Sequence, residues 1–174
     1  MLDADAVEML TRDHDALKQL FRSYERLIDR GRDLESRALL AGRICCHLSV
    51  HLQIEEEIFL PWVQAAADRP NWLACELGDH ACCKELIARL DEMEPGDDGY
   101  DTSVVILSAY AALHMDEEQQ SIFTWVRRSG LDTTALGRTM AERHRAALCG
   151  DVTLAGLPRL PSRWGARPRR SGAS

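Results

Sequence analysis

The chain of 174 residues, 45% apolar and 28% charged, has the composition of an ordinary soluble globule with one sizeable core. No run approaches the ~18 apolar residues of a membrane span, and the acidic opening MLDADAVEML lacks the basic and apolar regions of a signal peptide, so a cytoplasmic location is expected. The net charge of -7 hides an asymmetry: every acidic residue lies at or before Asp151, whereas Arg159, Arg163, Arg167, Arg169 and Arg170 crowd the end, so the body repels nucleic acid and anionic lipid.

The first predicted helix spans about 3–29, begins behind an Asp and stops near Gly31. Alternate steps of three and four trace its core stripe through Val7, Leu10, His14, Leu17, Phe21, Tyr24 and Ile28. The second, about 34–67, ends before Pro70 and carries Leu40, Ile44, His47, His51, Glu55, Ile58 and Trp62. The third, about 71–93, follows Asn71 and stops at EPGDDG, with Leu73, Leu77 (or Glu76), His80, Cys83, Ile87 and Leu90. The fourth, about 100–129, runs from YDTS to SG through Val104, Leu107, Ala111, His114, Glu118, Ile122 and Trp125. A shorter fifth, about 132–148, begins at DTT, where a hydroxyl or carboxylate can cap free backbone donors. Beyond Gly150 the Pro-, Gly- and Arg-rich sequence has no apolar period and is expected to be disordered. The expectation is an all-α, antiparallel up-down four-helix bundle over 1–149 with a short fifth helix and a disordered tail, 150–174.

Each long helix interrupts its apolar stripe with imidazole, or imidazole plus carboxylate, near mid-height. HLQIEEEIFLPWV from His51 and HMDEEQQSIFTWV from His114 share a His, a Glu four residues on and a Trp-Val, 63 residues apart. DHDALKQLF around His14 and DHACCKELI around His80 match in the same manner, 66 apart. The chain therefore contains an internal duplication. Four residues along a helix is a rise of ~6 Å and little more than one turn, so His51 and Glu55, like His114 and Glu118, project from one face. With His14 and His80 added, four histidines and two glutamates converge in a low-dielectric interior. Buried carboxylates are costly unless compensated, and a pair of divalent cations compensates them. A single His-x-x-x-Glu is more often a surface pair worth a few tenths of a kcal/mol; two on apolar stripes, with two further seam histidines, point to metal. Mixed nitrogen and oxygen donors suit iron or manganese, without excluding zinc or copper on affinity alone. Ferritin-like Glu-x-x-His and the protease pattern His-Glu-x-x-His are both absent.

The pattern over about 3–148 resembles the hemerythrin-like, or HHE cation-binding, domain family. HLQIEEEIFLPWV is similar to that family's second-helix signature and SGLDTTALGRTMAERHRAAL to its usual ending. The resemblance implies a four-helix bundle with two iron ions, oxo- or hydroxo-bridged, ligated here by His14, His51, Glu55, His80, His114 and Glu118, with manganese or zinc as weaker alternatives. It implies a small diatomic or peroxide ligand that is bound or reduced; an iron- or oxygen-sensing or storage module without turnover, and a di-iron protein repairing iron-sulfur clusters, are the alternatives. Oxygen carriers of the family place a second His four residues after the third-helix His. This chain has Lys84 there and Lys18 in the matching place after His14. One ligand fewer opens the metal to reaction.

Beside the ligand positions, His47, Tyr110, Lys18 and Lys84 are candidates to hydrogen-bond a ligand or a bound oxygen species. Gln119 and Gln120 are expected to face outward without a role, Glu56 and Glu57 to form a solvated face, and His144 to lie on the surface. Phe21, Phe59, Trp62 and Trp125 suit a core, or the lining of a channel. The adjacent pairs Cys45-Cys46 and Cys82-Cys83, with lone Cys75 and Cys149, match neither a disulfide framework nor a zinc ribbon. Reduced thiols are expected.

Overall fold

Asp5 starts the first helix: its carboxylate accepts from the backbone N–H groups of Val7 (2.9 Å) and Glu8 (3.1 Å), satisfying two free donors of α1 (Ala6–Asp29). Asp33 does the same toward Ser36 (2.8 Å) at the start of α2 (Leu34–Ile54). α2 passes through a wide π turn, Glu55–Phe59, directly into α3 (Leu60–Ala66). α4 spans Pro70–Glu92. α5 (Tyr100–Glu118) starts behind Gly99, whose φ of 86° favours glycine, and passes through a second π turn, Gln119–Phe123, into α6 (Thr124–Ser129). Gly130, also left-handed at φ 71°, ends that rod, and α7 (Thr134–Leu148) follows. These elements are those of a computed structural model, which describes residues 5–31, 33–67 and 70–148. The expected tail, 150–174, and Cys149 lie outside the described residues, and among those described there is helix and no strand.

Four rods (α1, α2–α3, α4 and α5–α6) form the body: α1 packs on α2 and α5, and α4 packs on α5, α2 and α3. α7 lies across α1, α2 and the first π turn, buries Met140, and ties Arg143 to Glu57 (2.8 Å). Two apolar clusters build the interior. One holds Leu17, Tyr24, Ile44, Leu48, Leu107 and Met115; the other holds Leu10, Ile54, Phe59, Val63, Ile122 and Phe123. Along α1, Leu10 belongs to one cluster and Leu17 to the other, with buried His14 between them. The polar layer is thus walled by hydrocarbon on both sides.

The predicted stripes hold with two corrections. On α4 strict alternation of steps selects Glu76, which is buried, while Leu77 is exposed. After each ligand-position glutamate the stripe slips by one residue: Phe59 and Val63 are buried where Ile58 and Trp62 were expected, and Val126 where Trp125 was. The π turns cause the slip, since each adds one residue to a turn and rotates everything beyond it. In the first rod Pro61 supplies a reason. It has no N–H for the carbonyl of Glu57, four residues back, and its ring would crowd that oxygen; the wide turn removes the conflict, and Leu60 N–H donates to the Glu55 carbonyl. In the second rod the matching place holds Thr124, whose hydroxyl donates to the carbonyl of Gln119 (3.1 Å).

Candidate metal centre

Each rod delivers its polar residues to one layer. α1 supplies His14, α2 and the first turn residue supply His51 and Glu55, α4 supplies His80, and α5 supplies His114 and Glu118. All six are buried, at 3% exposure or less. His14 Nε2 lies 3.1 Å from His51 Nε2, and His51 Nε2 lies 3.2 Å from Glu55 Oε1. The other oxygen of the same carboxylate, Oε2, faces His80 Nε2 at 3.3 Å and His114 Nε2 at 3.7 Å. Glu55 therefore stands between two imidazole pairs, one oxygen turned to each. Glu118 Oε2 approaches His14 Nε2 at 3.3 Å. The two pairs repeat each other's geometry: ring centroids are 4.8 Å apart in both, meeting edge-on at 74° and 88°. His14, His51 and Glu55 form one grouping able to hold an ion, and Glu55, His80 and His114 form another.

Whether these groups suit a cation can be judged from what they lack. Both oxygens of Glu55, both of Glu118, and the Nε2 atoms of His80 and His114 are buried without a hydrogen bond. Buried polar atoms are ordinarily paired, and several converging lone pairs at one point repel unless a positive charge lies among them. Burial, reinforced by the Glu55 and Glu76 carboxylates, pushes the Glu118 carboxyl well above the usual carboxylate range. Burial acts on Glu55 in the same direction, but the surrounding imidazoles, His51 foremost, hold it well below that range. Burial lowers His14 to about 4. It opposes charge on His80 as well, yet contacts to Glu55 and Glu56 outweigh it and raise that ring to about 9. Imidazole nitrogens beside clustered carboxylates, once any proton on them has left, are donors that fit divalent cations of intermediate softness.

Behind this layer lies a second set of contacts, most of which the sequence did not disclose. His80 Nδ1 meets Glu56 Oε1 at 3.0 Å, and Lys84 Nζ clamps both Glu56 oxygens at 2.7 and 2.6 Å. His14 Nδ1 meets the Gln119 amide nitrogen at 3.0 Å. His114 Nδ1 is 3.3 Å from Glu76 Oε2, and His51 Nδ1 is 3.9 Å from Asp13 Oδ2. Glu56 and Gln119 are thus not an idle solvated face: the π turns carry each of them against a histidine on the next rod. Gln120 is exposed, as expected. Glu57 bonds Gln53 (2.5 Å) and Arg143. Of the four flanking candidates, Lys84 reaches a ligand-position histidine through Glu56. Lys18 pairs with Asp116 (2.7 Å) instead, and Tyr110 is half exposed at 50%, one turn before His114 but pointing to solvent. His47 is half-buried, its imidazole lowered by burial and by Arg43 and His144. His144 is less exposed than expected, 3.8 Å from Asp13. Phe123, which sequence reasoning passed over, stacks on His14 (5.4 Å, 13°) and meets Phe59 edge-on; Trp125 meets Trp72 in the same way.

Comparison with known proteins follows the same line. A crystal structure of a hemerythrin HHE cation binding domain-containing protein from Mycobacterium kansasii is 21% identical, covers 83% of this chain and 87% of its own, and superposes with a TM-score of 0.70, which establishes a shared fold. No curated protein matches. Residues 5–126, more than half of the chain and spanning all six buried donors, match the family described as Hemerythrin HHE cation binding domain. With that match and the shared helical fold, the chain belongs to the hemerythrin HHE cation-binding domain family.

Proposed function

We propose that this protein is a non-haem di-iron protein that binds or reacts with a small oxidant (oxygen, peroxide or nitric oxide) at a centre made by His14, His51, Glu55, His80, His114 and Glu118. The observation that carries the proposal is the position of Glu55, with Oε1 turned to one imidazole pair and Oε2 to the other, as a carboxylate shared by two ions requires. The reading includes an up-down-up-down bundle, domain bounds of 1–149 and a cytoplasmic location. Among the described residues no helix is long and apolar enough to cross a membrane.

Bound iron supplies open coordination positions and one-electron exchange. The chain does the rest. The four Nε2 atoms point inward, and the partners behind His80 and His14 at Nδ1, Glu56 and Gln119, set the tautomer and the orientation of those two rings. The apolar clusters on either side keep water from the layer and strengthen its electrostatics. Phe123, flat against His14, holds that ring in place. Lys84, where oxygen carriers of the family have a ligand, is committed to Glu56, so it would leave one coordination position to solvent or a small molecule.

The proposal is tested on protein purified without oxygen. It predicts two iron atoms per chain and near-ultraviolet charge-transfer absorption after oxidation. Stopped-flow mixing of the reduced form with oxygen, nitric oxide or peroxide is expected to change the spectrum with at least one of them. Two bound irons with no response to any of the three would replace the redox role with a sensing or storage role.

A further inference from the structure

The two halves of the duplication differ at one chemically consequential place. Counting 63 residues from Glu55 to Glu118 puts Gln119 opposite Glu56, and counting 66 from His14 to His80 makes those two rings counterparts. The contacts repeat faithfully: Glu56 touches His80 Nδ1 at 3.0 Å and Gln119 touches His14 Nδ1 at 3.0 Å. The geometry is conserved between the halves while the charge is not. We propose, taking the dinuclear centre above as given, that Glu56 and Gln119 are positioning residues that make its two cation positions unequal: the His80–His114 pair takes the first cation, the His14–His51 pair the second.

A carboxylate behind an imidazole accepts the Nδ1 proton, fixes the tautomer that turns the Nε2 lone pair inward, and makes the ring a stronger donor. Glu56 does this for His80, and Lys84 holds it in place. The amide of Gln119 is neutral and turns its nitrogen, a donor, toward His14 Nδ1. For His14 to offer Nε2 to a cation, its proton must sit on Nδ1 and the amide must swing its oxygen into place, a step Glu56 does not need. The clamp differs as well. Lys18, the counterpart of Lys84, is drawn away to Asp116, which stands where the first half has Gln53. Both differences favour one position.

The test is a titration of the metal-free full chain with Co2+ under inert gas, followed by heat and by visible absorption. Two equivalents are expected in two resolved steps, the first tighter by about 10-fold or more, the usual worth of such a partner. Gln119→Glu should strengthen the second step by about 10-fold and leave the first where it was. Glu56→Gln should weaken the first by a similar factor, and Glu57→Gln, whose parent bonds Gln53 and Arg143, should move neither. Because Gln119→Glu is expected to gain affinity, partial unfolding cannot imitate the result. Two equivalents bound with equal affinity, or a second step unmoved by Gln119→Glu, would overturn the inequality while leaving the centre intact. Uptake of fewer than two equivalents would overturn the dinuclear proposal beneath it.

Discussion

Glu118 is the residue on which the centre's chemistry shows most plainly. It is fully buried, hydrogen-bonded to nothing, and beside a second carboxylate, with its own carboxyl pushed well above the usual range by burial. A neutral amide of the same shape should suit the metal-free interior as well or better. Glu118→Gln is therefore expected to leave the unfolding free energy of the metal-free protein unchanged or raised, by up to about 2 kcal/mol, while bound metal drops sharply. Loss of stability in the metal-free variant would show that the carboxylate serves the fold and not a cation. His51→Ala should empty the centre similarly. His144→Ala should keep full metal, since its ring meets Asp13 outside the polar layer; equal loss from both variants, read by elemental analysis, would sink the ligand assignment. The thiols respond to the same burial. Cys45 and Cys83 are pushed up to about 12, chiefly by desolvation, and thiolate is the reactive form. Alkylation of the native protein should mark exposed Cys75 and Cys82 and spare Cys45 and Cys83 until denaturant is added.

At the scale of the element, the long helices were legible because an apolar stripe stepped by three and four persists along each rod, and polar residues interrupt it at matching heights. Helix starts were legible where an Asp precedes the run, as at Asp5 and Asp33. The π turns were not, because a regular period carries no mark of one inserted residue, and so Ile58 and Trp62 took the place of Phe59 and Val63. The same turns hid Glu56 and Gln119, whose contacts with His80 and His14 depend on how far each rod has rotated past its glutamate. Glu76 was hidden differently: an apolar Leu77 beside it competed for the stripe. The duplication supports a prediction about these turns. Proline inside a helix costs about 3 kcal/mol or more, yet the first rod carries Pro61 just after its π turn, with Thr124 in the matching place of the second. Thr124→Pro, which forfeits the bond from Thr124 N–H to the Ser121 carbonyl, should still cost less in urea unfolding than a proline at Ser108, within α5, which should cost the full amount. Equal penalties would mean that the second π turn does not share the backbone tolerance of the first.

For the whole molecule, the polar layer brings together side chains from all four rods, so a cation bound there would couple binding to folding. The coupling has a sign. His80 is raised to about 9 and Glu118 well above its ordinary range. In the metal-free protein the stabilisation from His80 is complete below its ordinary value of about 6.5 and is lost as pH rises through 9. Glu118, an acid with a raised value, also costs stability as pH climbs above about 4.5. Cations compete with these same protons, so their affinity moves the other way. His14, lowered to about 4, is neutral throughout and drops out of the comparison. Between pH 6 and 8 each proton displaced adds about 1.4 kcal/mol of cation binding per pH unit. The unfolding free energy of the metal-free protein is thus expected to fall across that interval, and its gap to that of the loaded form, at fixed excess Co2+, to widen by about 1.4 kcal/mol per pH unit for each proton displaced. A gap that stayed constant would mean that neither His80 nor Glu118 gives up a proton when the cation arrives, leaving the binding site elsewhere in the molecule.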